Sequence, residues 1–471
     1  MTEERLIIIG AGPKAMAVAA KAHVLAELGF PVPRIHVIER RKVGAHWTGD
    51  SGYTNGLLRL STSPEKDVGF PYRSTCWADE EVNRVINARM TRFSWQSFLV
   101  DLDLFAEWVD RGRPAPEHRR WAAYLQWVAE GVSGSVTLHY GEVQRISIKE
   151  GRWLLSCQSS EGRSLELEGE GLMLTGPGRT SAAVSAPRHD RVLTIEQFWA
   201  RHARFRGVAA ARVAVVGSGK SAAAIAMELA SNGNSALRID VISPIGMTYS
   251  RGESFRENHL YSNPEVGRWK LLSESDRRRF IHRTDQGVFS VASQQALNQA
   301  ENLDVVPGRL RKVAVEGEER IALTLDYGQG HHTYTCDHVV LAMGYDHLAA
   351  ARSMLDDEAR REILEQTGLH EITDRALESM IEPHFEVRGL TPRLHLPMLA
   401  RLTQGPGFAN LSCLGCLSDS VLTAYVQRDH RREAWPDRAT APRLAVQEPT
   451  WASPEIRLAT PRIQPTSPTL P

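Results

Sequence analysis

The sequence contains two glycine-rich turns, each between an apolar run typical of a buried strand and an alanine-rich run typical of a helix. The two runs read LIIIGAGPKAMAVAAKAH near the start and VAVVGSGKSAAAIAMELA in the middle of the chain. Both turns have the same spacing of small residues: Gly10, Gly12 and Ala15 in the first, and Gly217, Gly219 and Ala222 in the second. In a dinucleotide-binding turn the first glycine makes the bend, the second admits a pyrophosphate, and the third small residue lets helix and strand pack. The chain is therefore predicted to have an α/β fold with two dinucleotide-binding, Rossmann-like domains.

The first turn is predicted to bind FAD. A strand at 35–38 follows the turn's helix and ends in Glu39, where an acid can bond both hydroxyls of an unmodified ribose. The alternative is that Glu39 only solvates the end of a strand. The residues assigned to this cofactor are Gly10, Gly12, Pro13, Ala15, Glu39 and Trp47.

The second turn is predicted to bind NADPH. Its second strand, at 238–242, ends at Ser243, so no acid repels a phosphorylated ribose. Arg251 is a candidate partner for that phosphate; the alternative is a solvated loop arginine. A phosphate-hydrolysing P-loop is disfavoured, because that motif needs glycine where Ala214 stands. The other residues assigned to NADPH are Gly217, Gly219, Lys220 and Ser221.

Two more apolar runs ending in glycine indicate how the domains connect. LMLTGPG at 172–178 and VVLAMGY at 339–345 bracket the second turn, which predicts an NADPH domain inserted into a discontinuous FAD domain. Gly344 and Tyr345 are assigned to cofactor binding. The predicted boundaries are 1–180 and 340–428 for the FAD domain with a helical substrate region (about 89–130 and a C-terminal segment), 181–339 for the NADPH domain, and 429–471 for a disordered, proline-rich tail.

Composition excludes several classes of function. Lysine plus arginine equals aspartate plus glutamate at 56 each, so no basic field attracts nucleic acid. No apolar run reaches the roughly 20 residues that a membrane helix needs, and no signal peptide is predicted. Five cysteines do not suggest a disulfide scaffold, and no His/Cys spacing suggests a metal. A cytoplasmic enzyme is expected.

The two turns leave three flavin reactions open. A disulfide reductase needs a redox-active CxxC pair, and Cys413 and Cys416 have that spacing, although late in the chain. A Baeyer–Villiger or sulfur monooxygenase should show a family linker between the turns, and none is found. The third possibility is an amine N-hydroxylase.

Several motifs resemble those of the microbial flavin-dependent N-hydroxylating monooxygenases. Within that family the sequence is most similar to the lysine N6-hydroxylases of mycobactin-type siderophore pathways, over roughly residues 5–425. The matching runs are SPEKDVGFPYRS at 63–74, RMTRFSWQS at 89–97, FAEWVDRGRPAPEHRRW at 105–121, TQGPGF at 403–408 and NLSCLG at 410–415.

The resemblance implies roles for particular residues. Lys66 matches the lysine that pairs with the carboxylate of the amino-acid substrate, and Asn258 matches the asparagine that holds the backbone end of the substrate near the nicotinamide. Ser418 and Asp419 match a C-terminal segment that closes over substrate and flavin. Met343 departs from the commoner threonine, which removes any hydrogen bond from that hydroxyl.

The resemblance also implies the reaction: NADPH- and dioxygen-dependent hydroxylation of the lysine side-chain amine through a flavin hydroperoxide, upstream of siderophore pathway enzymes. Ornithine or a diamine stays open as substrate, because one methylene is worth only about 1–3 kcal/mol in a pocket. An uncoupled NADPH oxidase or a redox-sensing flavoprotein also stays open. Family members imply a homodimer or homotetramer.

Overall fold

A computed structural model describes residues 4–159, 161–181, 183–265, 267–317 and 319–426 of the chain. The predicted tail at 429–471 lies outside these residues. The strands are β1 (Arg5–Ile9), β2 (Arg34–Glu39), β3 (Val136–Lys149), β4 (Arg152–Ser159), β5 (Ser164–Gly169), β6 (Gly171–Leu174), β7 (Arg179–Thr180), β8 (Val192–Thr194), β9 (Ala211–Val216), β10 (Leu237–Ser243), β11 (Tyr249–Ser250), β12 (Val288–Phe289), β13 (Leu303–Pro307), β14 (Arg309–Glu316), β15 (Arg320–Tyr327), β16 (Gly330–Cys336), β17 (His338–Leu341), β18 (Tyr345–Asp346) and β19 (Arg393–His395).

Helices alternate with strands around each of the two glycine turns. They are α1 (Pro13–Glu27), α2 (Glu80–Met90), α3 (Trp95–Asp101), α4 (Phe105–Asp110), α5 (His118–Gly131), α6 (Ile195–Arg201), α7 (Lys220–Ser231), α8 (Phe255–Ser262), α9 (Glu274–Thr284), α10 (Val291–Leu297), α11 (Ala349–Met354), α12 (Asp357–Thr367), α13 (Asp374–Leu377) and α14 (Leu414–Thr423). Within the described ranges, none of these helices has the length and apolarity to cross a bilayer.

The first glycine turn lies at the centre of a seven-stranded sheet with the order β19-β6-β1-β2-β3-β4-β5. β1 pairs in parallel with β2 and β6, and its residues Leu6, Ile7 and Ile8 are fully buried. A strand covered on both faces is apolar along its whole length, which explains the run LIII. β3 continues the parallel sheet beside β2 and then turns into an antiparallel extension with β4.

The second glycine turn lies in a separate five-stranded sheet with the order β13-β10-β9-β17-β8, in which every pair is parallel. Both sheets have a central strand, a tight turn and an alanine-rich helix, so the predicted α/β fold class is confirmed. β17 pairs with β9 and β8, so the predicted boundary at 340 falls inside a strand of the second sheet. Apolarity alone could not show which sheet this strand joins.

The aromatic residues of the predicted helical substrate region form a packed core. Trp95, Trp121 and Tyr124 are almost fully buried on α3 and α5, and the rings of Trp121 and Tyr124 are 4.8 Å apart. The Tyr124 hydroxyl donates to the Phe93 carbonyl over 2.8 Å. These side chains therefore stabilise the helices by burial, which is worth about 1.5–3 kcal/mol for a large apolar side chain.

Candidate active site

A cavity of about 940 Å³ opens at the carboxyl ends of β1, β2 and β6. Ligands of open α/β sheets bind at this edge, where the loops after the strands converge. Lining residues come from both glycine-turn regions, and they include Gly10, Glu39, Lys220 and Asn258. None of the described residues 89–130 lines the cavity. The predicted helical substrate region therefore lies outside the cavity lining and supports the site only indirectly.

The first turn has the geometry that a bound pyrophosphate requires. Gly10 has φ +95°, and a Cβ there would lie 2.7 Å from Oγ1 of Thr175, so only glycine fits. A Cβ at Gly12 would point into open space, which leaves room for a ligand to approach the backbone. Pro13 also lines the cavity, whereas Ala15 is fully buried and lets α1 pack on the sheet.

Glu39 and Trp47 also line the cavity. The Glu39 carboxylate ends β2, where it accepts hydrogen bonds of 2.9 Å from the backbone N–H groups of Ala11 and Arg41. These bonds fix the carboxylate beside the glycine turn. They support the prediction that Glu39 faces a ribose there.

The cavity fits an anionic, aromatic ligand. Among its described lining residues are seven lysines and arginines but four aspartates and glutamates. His46 also lines it, stacked on Tyr53 at 4.7 Å, and its buried Nδ1 has no partner in the described part of the chain. Burial lowers the pKa of His46 to about 4, so the ring is neutral. The sequence analysis missed His46 and Tyr53, although both lie near Trp47.

The second turn is equally constrained. Gly217 has φ +139°, and a Cβ there would lie 2.3 Å from the Ala342 carbonyl oxygen. Lys220 begins α7 and reaches the cavity, where its Nζ forms an ion pair of 2.5 Å with Asp285. Asp285 is a site residue that the sequence did not reveal, because it follows α9 far from either turn. Gly217, Gly219 and Ser221 form the turn itself and do not line the cavity.

The other residues assigned to NADPH lie in different places. Ser243 ends β10 and donates a hydrogen bond of 2.7 Å to the Met247 carbonyl, so the strand ends without an acid as predicted. Arg251 lines the cavity and donates to the Ser61 carbonyl over 3.0 Å. Gly344 and Tyr345 follow β17 outside the cavity lining, and Tyr345 lies beside Ser221.

Lys66 and Asn258 meet in the cavity although 192 residues separate them in sequence. The Lys66 ammonium donates to Oδ1 of Asn258 over 3.2 Å, and Nδ2 of Asn258 donates to the Glu253 carbonyl over 3.1 Å. Burial, followed by the charge of Arg251, lowers the pKa of Lys66. A desolvated cation beside an amide and a second cation is a suitable receptor for a carboxylate.

The loop that carries Lys66 is held by its neighbour Asp67. One oxygen of this buried carboxylate accepts from the Trp95 backbone N–H at 2.9 Å, and the other accepts from the Tyr72 hydroxyl at 2.7 Å. Burial raises the pKa of Asp67 to about 7. The aromatic helices thus fix the position of Lys66 through Asp67.

The structure does not bring Ser418 and Asp419 to the cavity. Both are buried on α14, where the Ser418 hydroxyl donates to the Gly415 carbonyl over 2.8 Å. Asp419 accepts from Lys21 Nζ at 2.7 Å and from Trp77 Nε1 at 2.8 Å. These contacts fasten α14 to α1, because the face of α14 that carries both residues is turned towards the protein interior.

The cysteine pair does not have the properties of a redox centre. Cys413 and Cys416 are free thiols, and burial raises the pKa of both, to about 12 for Cys416. A redox-active pair needs a thiolate of lowered pKa. The disulfide reductase alternative is therefore disfavoured. No cluster of three or more potential metal ligands occurs in the described ranges.

The arrangement as a whole can hold two dinucleotides and a carboxylate-bearing small molecule. A family model described as L-lysine 6-monooxygenase/L-ornithine 5-monooxygenase matches residues 87–347. The L-lysine N6-monooxygenase MbtG of Mycolicibacterium paratuberculosis is 43% identical over 420 residues, which are 88% of this chain and 94% of MbtG.

Solved structures agree with these matches. The lysine monooxygenase NbtG from Nocardia farcinica, solved with an unprecedented NADPH-domain conformation, is 42% identical, with a TM-score of 0.77 over 89% of this chain and 98% of NbtG. The ornithine hydroxylase PvdA from Pseudomonas aeruginosa has a TM-score of 0.68 over 90% of this chain and 99% of PvdA at 17% identity, which shows a common fold. The resemblance inferred from the motifs is confirmed.

Proposed function

This chain belongs to the L-lysine 6-monooxygenase/L-ornithine 5-monooxygenase family, and from this premise we propose that it hydroxylates the side-chain amine of L-lysine. It is an FAD-dependent monooxygenase that uses NADPH and dioxygen. The net reaction converts lysine, NADPH, a proton and dioxygen into N6-hydroxylysine, NADP⁺ and water. The observation that carries the choice of lysine is 43% identity over 94% of a lysine N6-monooxygenase.

The two nucleotides are assigned to the two glycine turns. Gly10, Gly12 and Glu39 would hold the pyrophosphate and ribose of FAD, and Lys220 would meet the phosphates of NADPH. We assign the seven-stranded sheet to FAD and the five-stranded sheet, including β17, to NADPH. Bound FAD supplies the redox chemistry by accepting electrons from NADPH and activating dioxygen.

The substrate is assigned to the pair formed by Lys66 and Asn258. The α-carboxylate of lysine would face the Lys66 ammonium, with Asn258 as a neighbouring amide donor. Arg251 lies beside them and adds positive charge. We therefore propose that Arg251 acts at the substrate end of the cavity as well as being a candidate phosphate partner.

The substrate amine must lose its proton before it can be hydroxylated, because only the neutral amine is a nucleophile. Its pKa in water is about 10.4, and the excess of cations around the cavity disfavours a further ammonium. We expect the rate of hydroxylation to rise from pH 7 to pH 9. Hydroxylamine formation at saturating NADPH and lysine measures this rise, with amine-independent NADPH oxidation as the control. A flat profile would show that deprotonation does not limit the rate.

Gly217→Ala should separate the two nucleotide sites. The added Cβ meets the Ala342 carbonyl, and the positive φ costs a non-glycine residue about 1–3 kcal/mol. Reduction of bound FAD by NADPH should slow by tenfold or more, while the FAD content stays unchanged. Stopped-flow absorbance measures both. Gly207→Ala is the matched control, because a Cβ there meets no atom within 4 Å. Loss of FAD instead of slow reduction would contradict the assignment of the second turn.

A product assay tests the proposed function directly. Purified protein with FAD and NADPH is aerated with L-lysine, L-ornithine or cadaverine, and hydroxylamine, NADPH and hydrogen peroxide are measured together. Hydroxylation of lysine in proportion to NADPH supports the proposal. A preference for ornithine or cadaverine would identify that amine as the substrate in place of lysine. NADPH consumption matched wholly by peroxide with every amine supports an oxidase or a redox sensor.

We also propose a setting for the reaction. NADPH and free lysine are both cytoplasmic metabolites, so we place the enzyme in the cytoplasm. A hydroxylamine becomes a hydroxamate when an acyl group is transferred to its nitrogen, which leads to assembly of a siderophore by downstream enzymes. We expect a homodimer or homotetramer, which light scattering of the full chain would test.

A further inference from the structure

A buried lysine, Lys14, lines the cavity beside the first glycine turn. Its exposed fraction is 7%, and its Nζ donates to the Ala409 carbonyl over 3.0 Å. Among the described residues, no carboxylate forms an ion pair with it. Buried lysines are normally paired, whereas the charge of Lys14 has no counter-ion in the part of the chain that the structure describes.

The position of Lys14 on α1 further disfavours its positive charge. It is the second residue of the helix, where the positive end of the helix dipole disfavours a cation. Burial lowers the pKa of Lys14 to about 8, against smaller opposite effects of Cys413 and Asp285. A strongly perturbed group in a cleft is a candidate functional residue.

Lys14 lines the same cavity as Lys66, the lysine to which the substrate carboxylate is assigned. Burial raises the pKa of the Cys413 thiol, and the positive charges of Lys14 and Lys66 both oppose that larger effect. The segment that accepts the Lys14 hydrogen bond, 409–412, lines the same cavity. Asp285, an acid whose charge acts on Lys14, is already paired with Lys220.

We propose that Lys14 is the counter-charge for the reduced flavin ring. Hydride transfer from NADPH brings two electrons and one proton to the neutral oxidised ring and leaves NADP⁺, so the reduced ring gains one negative charge. A desolvated ammonium in this cavity stabilises that charge more than it would in water. The proposal rests on the proposed function in one respect, that the cavity holds FAD.

The test is the midpoint potential of FAD bound to the full chain, measured by dye-coupled reduction without NADPH or amine. Lys14→Met removes the charge at similar side-chain length and should weaken binding of reduced relative to oxidised FAD about tenfold, which lowers the potential by about 30 mV. Lys14→Arg should keep this ratio within about twofold. Lys312→Met, an exposed position on β14, is the matched control.

The other possible results of this experiment lead to different conclusions. An unchanged potential in Lys14→Met overturns the proposal, and a raised KM for lysine with that unchanged potential would assign Lys14 to the substrate carboxylate. Lys14→Gln is the second neutral variant. Both neutral variants could instead lose FAD while Lys14→Arg retains it. That result would mean that the Lys14 charge is needed to bind oxidised FAD, and it would also overturn the proposal. A wild-type protein that holds FAD but hydroxylates no amine contradicts the proposed function alone.

Discussion

Lys66→Met should lower kcat/KM for L-lysine by about 100-fold, mostly through KM, and leave kcat/KM for cadaverine within about twofold. Removing one partner of a buried charge pair costs about 2–5 kcal/mol, and about 1.4 kcal/mol is a factor of ten. Cadaverine carries the same amine on the same carbon chain but has no carboxylate for Lys66 to meet. Steady-state hydroxylamine formation with both substrates is the measurement.

The matched controls separate recognition from folding. Lys66→Arg keeps a cation beside Asn258 and should recover part of the lysine activity. Lys312→Met removes an exposed lysine that does not line the cavity, so kcat/KM should stay unchanged for both substrates. Equal losses with lysine and cadaverine in Lys66→Met would mean that Lys66 supports the loop, and the assignment to the carboxylate would fail.

Asp419→Ala should lower the free energy of unfolding by about 3–5 kcal/mol, the range for breaking a buried ion pair by removing one partner. The substitution leaves Lys21, which is 1% exposed, with a buried charge and, among the described residues, Ser74 at 2.6 Å as its remaining side-chain partner. It also removes the acceptor of the Trp77 indole. Denaturant unfolding followed by tryptophan fluorescence measures the loss.

The double variant Lys21→Met with Asp419→Leu is the informative companion. Replacing both charges by apolar side chains removes the uncompensated ammonium, so most of the lost stability should return. The remaining deficit is the unpaired Trp77 N–H, about 1–3 kcal/mol. An Asp419→Ala protein of unchanged stability that no longer holds FAD would instead restore Asp419 to the cofactor site.

The nucleotide turns could be predicted from sequence because their geometry is local. Gly10 and Gly217 have positive φ angles that few other residues adopt, and the strand and helix on each side are read from neighbouring residues. The acid at the end of β2 and the serine at the end of β10 follow from the same short segments. The motifs around Lys66 and Asn258 indicated the family, and the resemblance to that family implied the roles proposed for both residues.

Only the tertiary structure shows the features that depend on residues far apart in the sequence. The sequence did not show that Lys66 meets Asn258, that Lys14 is buried with no counter-ion among the described residues, or that β17 joins the second sheet. Nor could it show that α14 turns Ser418 and Asp419 inward to α1, because a helical repeat shows which residues share a face but not what that face meets. A glycine turn is determined by a few consecutive dihedral angles, whereas the charge environment of a side chain is determined by segments that only folding brings together.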